Sequence, residues 1–175
     1  VIAEGVTVTV EPGTKIQFWS NDPEDPYADQ YIAYLQVKGT FITNGTLEEP
    51  VELFPSELMS QYEVCLTEAD LGRIELNYTN VTNATLDISS ADHCSFKQNY
   101  ENNYIICRYI SSGKIHKTNV AYGNSGCNVG TGSSRSFKVI SCTDSVFYKL
   151  GEESFSRSPN LIGMYDTCTF VDCSI

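Results

Sequence analysis

The residues that could carry acid–base chemistry are few and lie far apart in the sequence. The chain has two histidines, His93 and His116, and Lys114 and Lys117 flank the second. A glycosidase needs two carboxylates about 5 Å or about 6.5–9.5 Å apart, and 22 acidic residues are enough to supply such a pair. Because Ile115 alternates with His116, a strand would direct His116 outward. Both histidines are candidate bases, and both are also explained as ordinary surface or turn residues.

A group of acidic residues forms the candidate metal site. Asp22, Glu24, Asp25 and Asp29 lie close together and could hold Ca²⁺ through their carboxylate oxygens. Their spacing is not that of an EF-hand loop, and a solvated acidic loop explains them as well. No other cofactor is predicted, because the sequence has no C-x-x-C pair for zinc. The G-x-S-x-G motif of a nucleophilic serine is absent as well.

Four asparagines stand in the N-x-[ST] pattern that accepts N-linked glycans: Asn44, Asn77, Asn80 and Asn83. Three of them form the run NYTNVTNAT, in which the acceptor asparagines are three residues apart. Glycosylation of an exposed edge would place the protein in the secretory route or outside the cell. A threonine-rich strand with turn asparagines explains the same run, so both interpretations stay open.

Size and charge limit the classes of function. The chain has 175 residues, which is enough for one domain with its own core, and a net charge of −11. An acidic chain is not expected to bind nucleic acid, whose phosphates need lysine and arginine. No apolar run approaches the roughly 18 residues that a membrane span requires. Because an apolar alternation reaches Ile175, we expect residues 1–175 to be a single domain from a larger extracellular chain.

Apolar and polar residues alternate along most of the chain, which is typical of β-strands. The segments GVTVTVEPGTKIQF (5–18) and YLQVKGTFITNGTLEEPVELF (34–54) repeat one strand–turn–strand pattern, with turns predicted at Pro12–Gly13 and Asn44–Gly45. Residues 20–33 are predicted to be an insertion loop between them. The alternation directs these residues inward: Val6, Val8, Val10, Ile16, Phe18, Leu35, Val37, Phe41, Val51 and Leu53.

Short apolar stretches that end in an aromatic or branched residue recur along the chain. Their ends fall 20 to 27 residues apart, at Phe54, Ile74, Phe96, Val120, Phe147 and Phe170. A drifting period of this size is typical of repeat proteins whose loops vary in length. The leucine-rich repeat signature is missing, so the sequence predicts an all-β solenoid in which short strands stack in parallel around a narrow core.

The pattern G-x-T-[VIL]-x-[VIL]-x-P-G-T-x-[IV]-x-F, followed by L-x-V-x-G-T-[LF], resembles a family of secreted and surface proteins. These are right-handed parallel β-helix proteins of the pectin-lyase-like type. The close match covers residues 5–54, and MYDTCTFVDCSI follows a looser rhythm of the same proteins. The resemblance implies a right-handed parallel β-helix of about six to seven coils over residues 1–175. This fold carries lyases, hydrolases, adhesins and spacers, so it does not fix the activity.

The chain has seven cysteines, an odd number, so at least one is free or pairs with another chain. Disulfides in an oxidising compartment are one interpretation, with Cys168 and Cys173 as the first pair to test and Cys94 and Cys142 as further candidates. The other interpretation is that Cys94, Cys168 and Cys142 recur near one position of their coils, as small buried residues.

From these features we expect a non-enzymatic, extracellular structural or adhesive module of a glycosylated cell-surface or filament-forming protein. The motifs of pectate-lyase-like and polygalacturonase-like enzymes are absent from the sequence. Its partners would be neighbouring coils of the same chain or other copies of itself, because an open strand edge binds another strand. The alternative is a carbohydrate-active enzyme, either a polysaccharide lyase or a glycoside hydrolase, or a carbohydrate-binding module with a strip of tyrosines.

Overall fold

The computed structural model describes residues 1–18, 33–56, 64–68, 71–97, 109–121, 128–129, 140–148 and 163–171. These residues form seventeen β-strands and no helix, so the prediction of an all-β protein is confirmed. Their strand pairings are parallel. The predicted insertion loop lies outside the described residues, apart from Ala33, which begins a strand.

In chain order the strands are β1 (Thr7–Val10), β2 (Lys15–Phe18), β3 (Ala33–Val37), β4 (Thr40–Asn44), β5 (Val51–Pro55), β6 (Val64–Glu68), β7 (Arg73–Asn77), β8 (Thr79–Thr82), β9 (Ala84–Asp92), β10 (Ser95–Lys97), β11 (Tyr109–His116), β12 (Asn119–Ala121), β13 (Asn128–Val129), β14 (Ile140–Thr143), β15 (Val146–Tyr148), β16 (Gly163–Asp166) and β17 (Thr169–Val171). They form a ten-stranded sheet and a seven-stranded sheet.

The two sheets alternate along the chain. Seven times, a strand of the ten-stranded sheet leads through a turn into a strand of the seven-stranded sheet: β1–β2, β4–β5, β7–β8, β9–β10, β11–β12, β14–β15 and β16–β17. We number these strand pairs as layers one to seven. The order of these strands within each sheet follows their order in the chain, so each layer lies on the one before it. β3, β6 and β13 pair with the ten-stranded sheet outside this order.

The predicted period corresponds to one column of paired residues in the seven-stranded sheet. The column contains Ile16, Leu53, Val81, Phe96, Val120, Phe147 and Phe170. The last four of these were predicted positions, and their common register is confirmed. Two predicted positions do not belong to the column. Leu53 takes the place that was predicted for Phe54, and Ile74 pairs with Phe41 in the ten-stranded sheet. The alternation predicts Leu53 as the inward residue, so the error at Phe54 comes from taking the end of the apolar stretch as the repeating position.

One cluster of buried side chains joins the two sheets. Of the residues predicted to face inward, five are buried and four are half-buried against this cluster: Val10, Val37, Phe41, Val51 and Leu53, then Val8, Ile16, Phe18 and Leu35. Val6 was predicted wrongly, since it is 46% exposed. It precedes β1, and its N–H donates to the carbonyl of Ala3 at 3.1 Å, within a turn. At Gly45 a side chain would clash with the carbonyl of Tyr78, which explains glycine in that turn.

Candidate functional site: a histidine–carboxylate cluster beside stacked turns

The turns of layers three to seven each contain one residue with positive φ: Tyr78, His93, Lys117, Asp144 and Thr167. Residues with a Cβ seldom adopt this left-handed conformation. Here the backbone holds it, because the N–H of each of the first four residues donates to a carbonyl of the next layer at 2.9–3.2 Å. We call these five residues the turn stack. Neighbouring strands are about 4.8 Å apart, so the stack brings side chains from distant parts of the sequence side by side.

The residue after each member of the turn stack carries a hydroxyl or a thiol: Thr79, Cys94, Thr118, Ser145 and Cys168. Each side chain donates to the carbonyl two residues earlier, at 2.8–3.4 Å. The hydroxyl of Thr118 also accepts the N–H of Cys94 from the preceding layer, at 3.3 Å. We call these five residues the hydroxyl–thiol column. Each of these carbonyls also accepts a backbone N–H from the preceding layer, so the column adds a second hydrogen bond to each of them.

The shared turn position predicted for Cys94 and Cys168 is confirmed, because both belong to the hydroxyl–thiol column. The prediction is wrong for Cys142, which lies in the core within β14. Within the described part of the chain, none of the three is bonded to another cysteine. Burial raises the pKa of Cys94 and of Cys142 to about 12, so both are protonated and poor nucleophiles at neutral pH. Cys173 lies outside the described residues, and its pairing with Cys168 stays a prediction.

Side chains beside the turn stack form a polar cluster across layers four to seven. His116 stands at its centre: Nδ1 is 2.8 Å from Oδ1 of Asp92, and Nε2 is 3.5 Å from Oδ2 of Asp144. The hydroxyl of Thr167 donates to Oδ1 of Asp144 at 2.5 Å. The side chain of His116 is 40% exposed, which agrees with the predicted outward direction. Together with His93, these residues are the histidine–carboxylate cluster.

His93 lies beside Asp92 and His116. Its ring stacks on Tyr78 with centroids 4.5 Å apart and meets the ring of His116 edge-on at 5.9 Å. Nδ1 of His93 is 2.9 Å from the same Asp92 oxygen. This contact has the length of a hydrogen bond without its alignment, so it is a close polar contact only. One carboxylate oxygen therefore faces two histidine rings.

The order of contacts limits the chemistry of the cluster. A catalytic triad requires a hydroxyl bonded to a histidine, and that histidine bonded to a carboxylate. Here the hydroxyl of Thr167 is bonded to Asp144, and both ring nitrogens of His116 face carboxylates. The bond from Thr167 lowers the pKa of Asp144, with His116 as a further cause. The arrangement is a polar network that joins layers, and no nucleophile in it is held against a base.

Asp92, Asp144 and Thr167 are members of the cluster that were not predicted. Aligning the turns by their small hydroxyl or thiol residue would have identified them, because D-H-C, H-K-T, T-D-S and D-T-C then place polar residues in successive layers. The predicted calcium ligands Asp22, Glu24, Asp25 and Asp29 lie outside the described residues. Among the residues that the structure does describe, no three His, Cys, Asp or Glu side chains form a group that could hold a metal ion.

The four predicted glycosylation sites differ in their surroundings. Asn44 and Asn80 are exposed. Asn77 is half-buried, and its Nδ2 donates to the carbonyl of Thr43 at 3.0 Å. Asn83 is 2% exposed, with a φ of 51°. Whether any of them carries a glycan stays a prediction.

The outer face of the seven-stranded sheet has a second feature, a depression of about 390 Å³. Its lining residues come from three adjacent strands: Glu52, Leu53, Phe54, Asn80, Val81, Thr82, Ser95 and Lys97. Leu53 and Val81 contribute their backbone to its floor, since their side chains are buried in the core on the other face of the sheet. The other residues form polar walls around the half-buried ring of Phe54.

Comparisons with protein-family models, with curated proteins and with solved structures return no match. The resemblance to pectin-lyase-like β-helix proteins therefore stays a prediction. None of the described residues belongs to a helix of the length and apolarity that crossing a membrane requires.

Proposed function

We propose that this chain is a non-enzymatic, extracellular structural or adhesive module, folded as a right-handed parallel β-helix of about six to seven coils. Each layer would then be two sides of a coil, and the segments between layers would complete it. Two observations support this fold: both sheets are parallel, and both follow the chain order through seven layers. The exposed positions of Asn44 and Asn80 are compatible with a glycosylated surface.

The observation that carries the proposal is the change in burial along the stack. In the middle, Leu76 and Phe96 are fully buried. At the two ends, Ile16 of layer one and Phe170 of layer seven occupy the core column but are only half-buried. Within the described residues, the strands of layers one and seven pair on one side only. Each end therefore presents partly exposed apolar side chains of the core column, which are surfaces that can pack against another coil.

The partner that fits these ends is a parallel coil of similar composition, supplied by a larger chain or by a second copy of this one. The histidine–carboxylate cluster supports a structural role, because its contacts join layers to one another. The second candidate function is carbohydrate binding or carbohydrate-active chemistry on the same fold. It is favoured by the depression beside Phe54, which combines an aromatic ring with polar walls.

Substitution of exposed residues on the edge strands tests association through the ends. Thr9→Lys in β1 and Thr169→Lys in β17 each place a charge on an edge strand, where it opposes pairing with another chain. Asn44→Lys is the matched control, since Asn44 is exposed on β4, which has neighbours on both sides. The measurement is sedimentation equilibrium over a range of protein concentrations.

We expect the unsubstituted protein to associate with increasing concentration, and each edge variant to weaken association by about tenfold or more, equivalent to 1.4 kcal/mol or more. The control should associate like the unsubstituted protein. A protein that stays monomeric at all concentrations, or three variants with equal association, would argue against stacking through the ends. Turnover of a polysaccharide by the purified chain would favour the enzymatic alternative.

A further inference from the structure

Asn80 and Thr82, two residues of one glycosylation sequon, both line the depression on the seven-stranded sheet. Positions i and i+2 of a strand point to the same face, so the acceptor amide and the sequon hydroxyl lie on one surface. Asn80 is exposed and pairs with Glu52 of β5, and Phe54, two residues farther along β5 on the same face, is half-buried. The depression therefore combines a glycan acceptor with an aromatic surface of the kind that packs against a sugar ring.

We infer that Asn80 is an N-linked glycosylation site and that the first sugar of its glycan lies in the depression beside Phe54. The inference rests on the proposed extracellular function, since it requires passage through a secretory compartment. Glycan transfer joins Nδ2 of Asn80 to the anomeric carbon of a lipid-diphosphate-linked oligosaccharide. Nδ2 loses one proton, and the lipid diphosphate is the leaving group.

The other two sequons of the same run do not fit a glycan. Asn83 is 2% exposed and follows β8 in a left-handed turn, where its N–H donates to the carbonyl of Lys97 at 2.8 Å. Asn77 directs Nδ2 to the carbonyl of Thr43 in the adjacent strand. A sugar on either side chain would displace packed neighbours. Of the three consecutive sequons, the fold leaves one accessible acceptor.

Asn44 provides the comparison within the same chain. It is exposed, so a glycan there is sterically allowed. It lies at the end of β4 in the ten-stranded sheet and is not among the residues that line the depression. A glycan on Asn44 would extend into solvent, whereas a glycan on Asn80 would start against the protein surface.

The lining of the depression suits the first sugar of an N-linked glycan, an N-acetylhexosamine. The C–H face of its ring can pack on the ring of Phe54. Lys97 and Ser95 lie on the far side of Asn80 and supply donors for hydroxyl and acetamido oxygens. Glu52 is held by Lys15 at 3.1 Å, so this carboxylate is already paired on the opposite wall.

Site mapping in a eukaryotic secretory host tests the first half of the inference. The full chain is secreted behind a cleavable signal, and each asparagine is scored by glycosidase release in heavy-oxygen water followed by peptide mass spectrometry. We expect Asn80 to be occupied and Asn77 and Asn83 to be unoccupied. Thr82→Val should abolish modification of Asn80 without changing that of Asn44. Asn44→Gln should remove any glycan at position 44 without changing the modification of Asn80.

Occupancy of Asn77 or Asn83 in folded, secreted protein, or an unoccupied Asn80, would overturn the inference. These outcomes are separate from failure of the proposed function, which the association of the unglycosylated protein measures. A chain that associates through its ends but carries no glycan at Asn80 refutes the glycan site alone. A chain that carries the glycan but never associates refutes the stacking model alone.

Nuclear magnetic resonance tests the position of the sugar. In protein trimmed to one N-acetylglucosamine at Asn80, the signals of that sugar should be shifted by the ring of Phe54. The shift should disappear in Phe54→Ala and persist in Tyr34→Ala, which removes an aromatic side chain that is 63% exposed and outside the depression. Unshifted signals in the unsubstituted protein would overturn the position. If free N-acetylglucosamine bound equally well to the Asn80→Gln protein and to the unglycosylated, unsubstituted protein, the depression would be assigned to free saccharide instead.

Discussion

Layers four and seven contain nearly the same turn in different surroundings. Residues 92–96 read D-H-C-S-F, and residues 166–170 read D-T-C-T-F. Both turns have a left-handed second residue and a thiol that donates to the carbonyl two residues earlier. Cys94 and Phe96 are 3% and 0% exposed, whereas Cys168 and Phe170 are half-buried.

The comparison separates what a layer makes by itself from what its neighbours supply. The left-handed residue and the thiol bond are the same in both layers, so the local sequence is sufficient for them without a following layer. Burial differs because layer four has layers three and five on its two sides, whereas layer seven has one neighbour within the described residues. In a stacked repeat, stability comes largely from the contacts between adjacent units. The middle of the stack should therefore be its most stable part.

Truncation of the two equivalent phenylalanines should give the largest difference. Phe96→Ala removes a fully buried ring and should lower the free energy of unfolding by about 3–5 kcal/mol. Phe170→Ala should cost clearly less, because part of its ring is already in contact with water. Urea unfolding followed by circular dichroism measures both. Equal losses would mean that the end of the stack is covered as completely as its middle.

The buried thiols should make the stack sensitive to alkali. The pKa of Cys94 and of Cys142 is raised from 9.0 to about 12, so between these values the unfolded chain loses protons that the folded chain keeps. Stability is therefore complete below pH 9 and falls as the pH rises. At pH 10 each thiol should cost about 1.4 kcal/mol relative to neutral pH.

Unfolding free energies at pH 8 and pH 10 check this for the unsubstituted protein and for Cys94→Ala and Cys142→Ala. Each of these variants should lose part of the dependence on pH. Cys168→Ala keeps both buried thiols and removes only the lesser cause of the raised pKa of Cys142, so it serves as the control and should keep most of the dependence. A control that loses as much of the dependence as the two variants would assign the effect to another group.

Strand content was predictable from the sequence because alternation reports directly on which face of a strand is buried. The repeating position was predictable where the core residue ends the apolar stretch, as at Phe96 and Phe170. It was wrong at Phe54, where the stretch runs one residue past the inward Leu53. The histidine–carboxylate cluster was not predicted, because Asp92 and His116 are 24 residues apart and meet only through the stacking of layers. The sequence alone does not show that two residues in different layers are close in space until the register of the strands is known.

A substitution in the hydroxyl–thiol column should have an intermediate effect on the free energy of unfolding. Thr118→Val removes a hydroxyl that donates to the carbonyl of His116 at 2.8 Å and accepts the N–H of Cys94 at 3.3 Å. The carbonyl of His116 still accepts the N–H of His93, so the main loss is the partner of the buried Cys94 N–H, which should cost about 1–3 kcal/mol. Thr169→Val, at an exposed position of layer seven, is the matched control and should change stability little. Equal effects in urea unfolding would show that the column contributes through packing alone.

The smallest effect should come from the acidic end of the cluster, where Thr167 takes the position that His93 has in layer four. The hydroxyl of Thr167 lowers the pKa of Asp144 below its ordinary value of 3.8, so the contribution of this bond is complete above that value. It is lost as the pH falls through the lowered pKa, when the carboxylate gains a proton. Asp144 is exposed, so salt should weaken the contribution of its charge further.

Thr167→Val should return the pKa of Asp144 toward 3.8, measured by the carboxyl carbon resonance against pH. Thr169→Val, which leaves this bond intact, should not change the pKa, and an equal rise in both variants would exclude the hydroxyl of Thr167 as the cause.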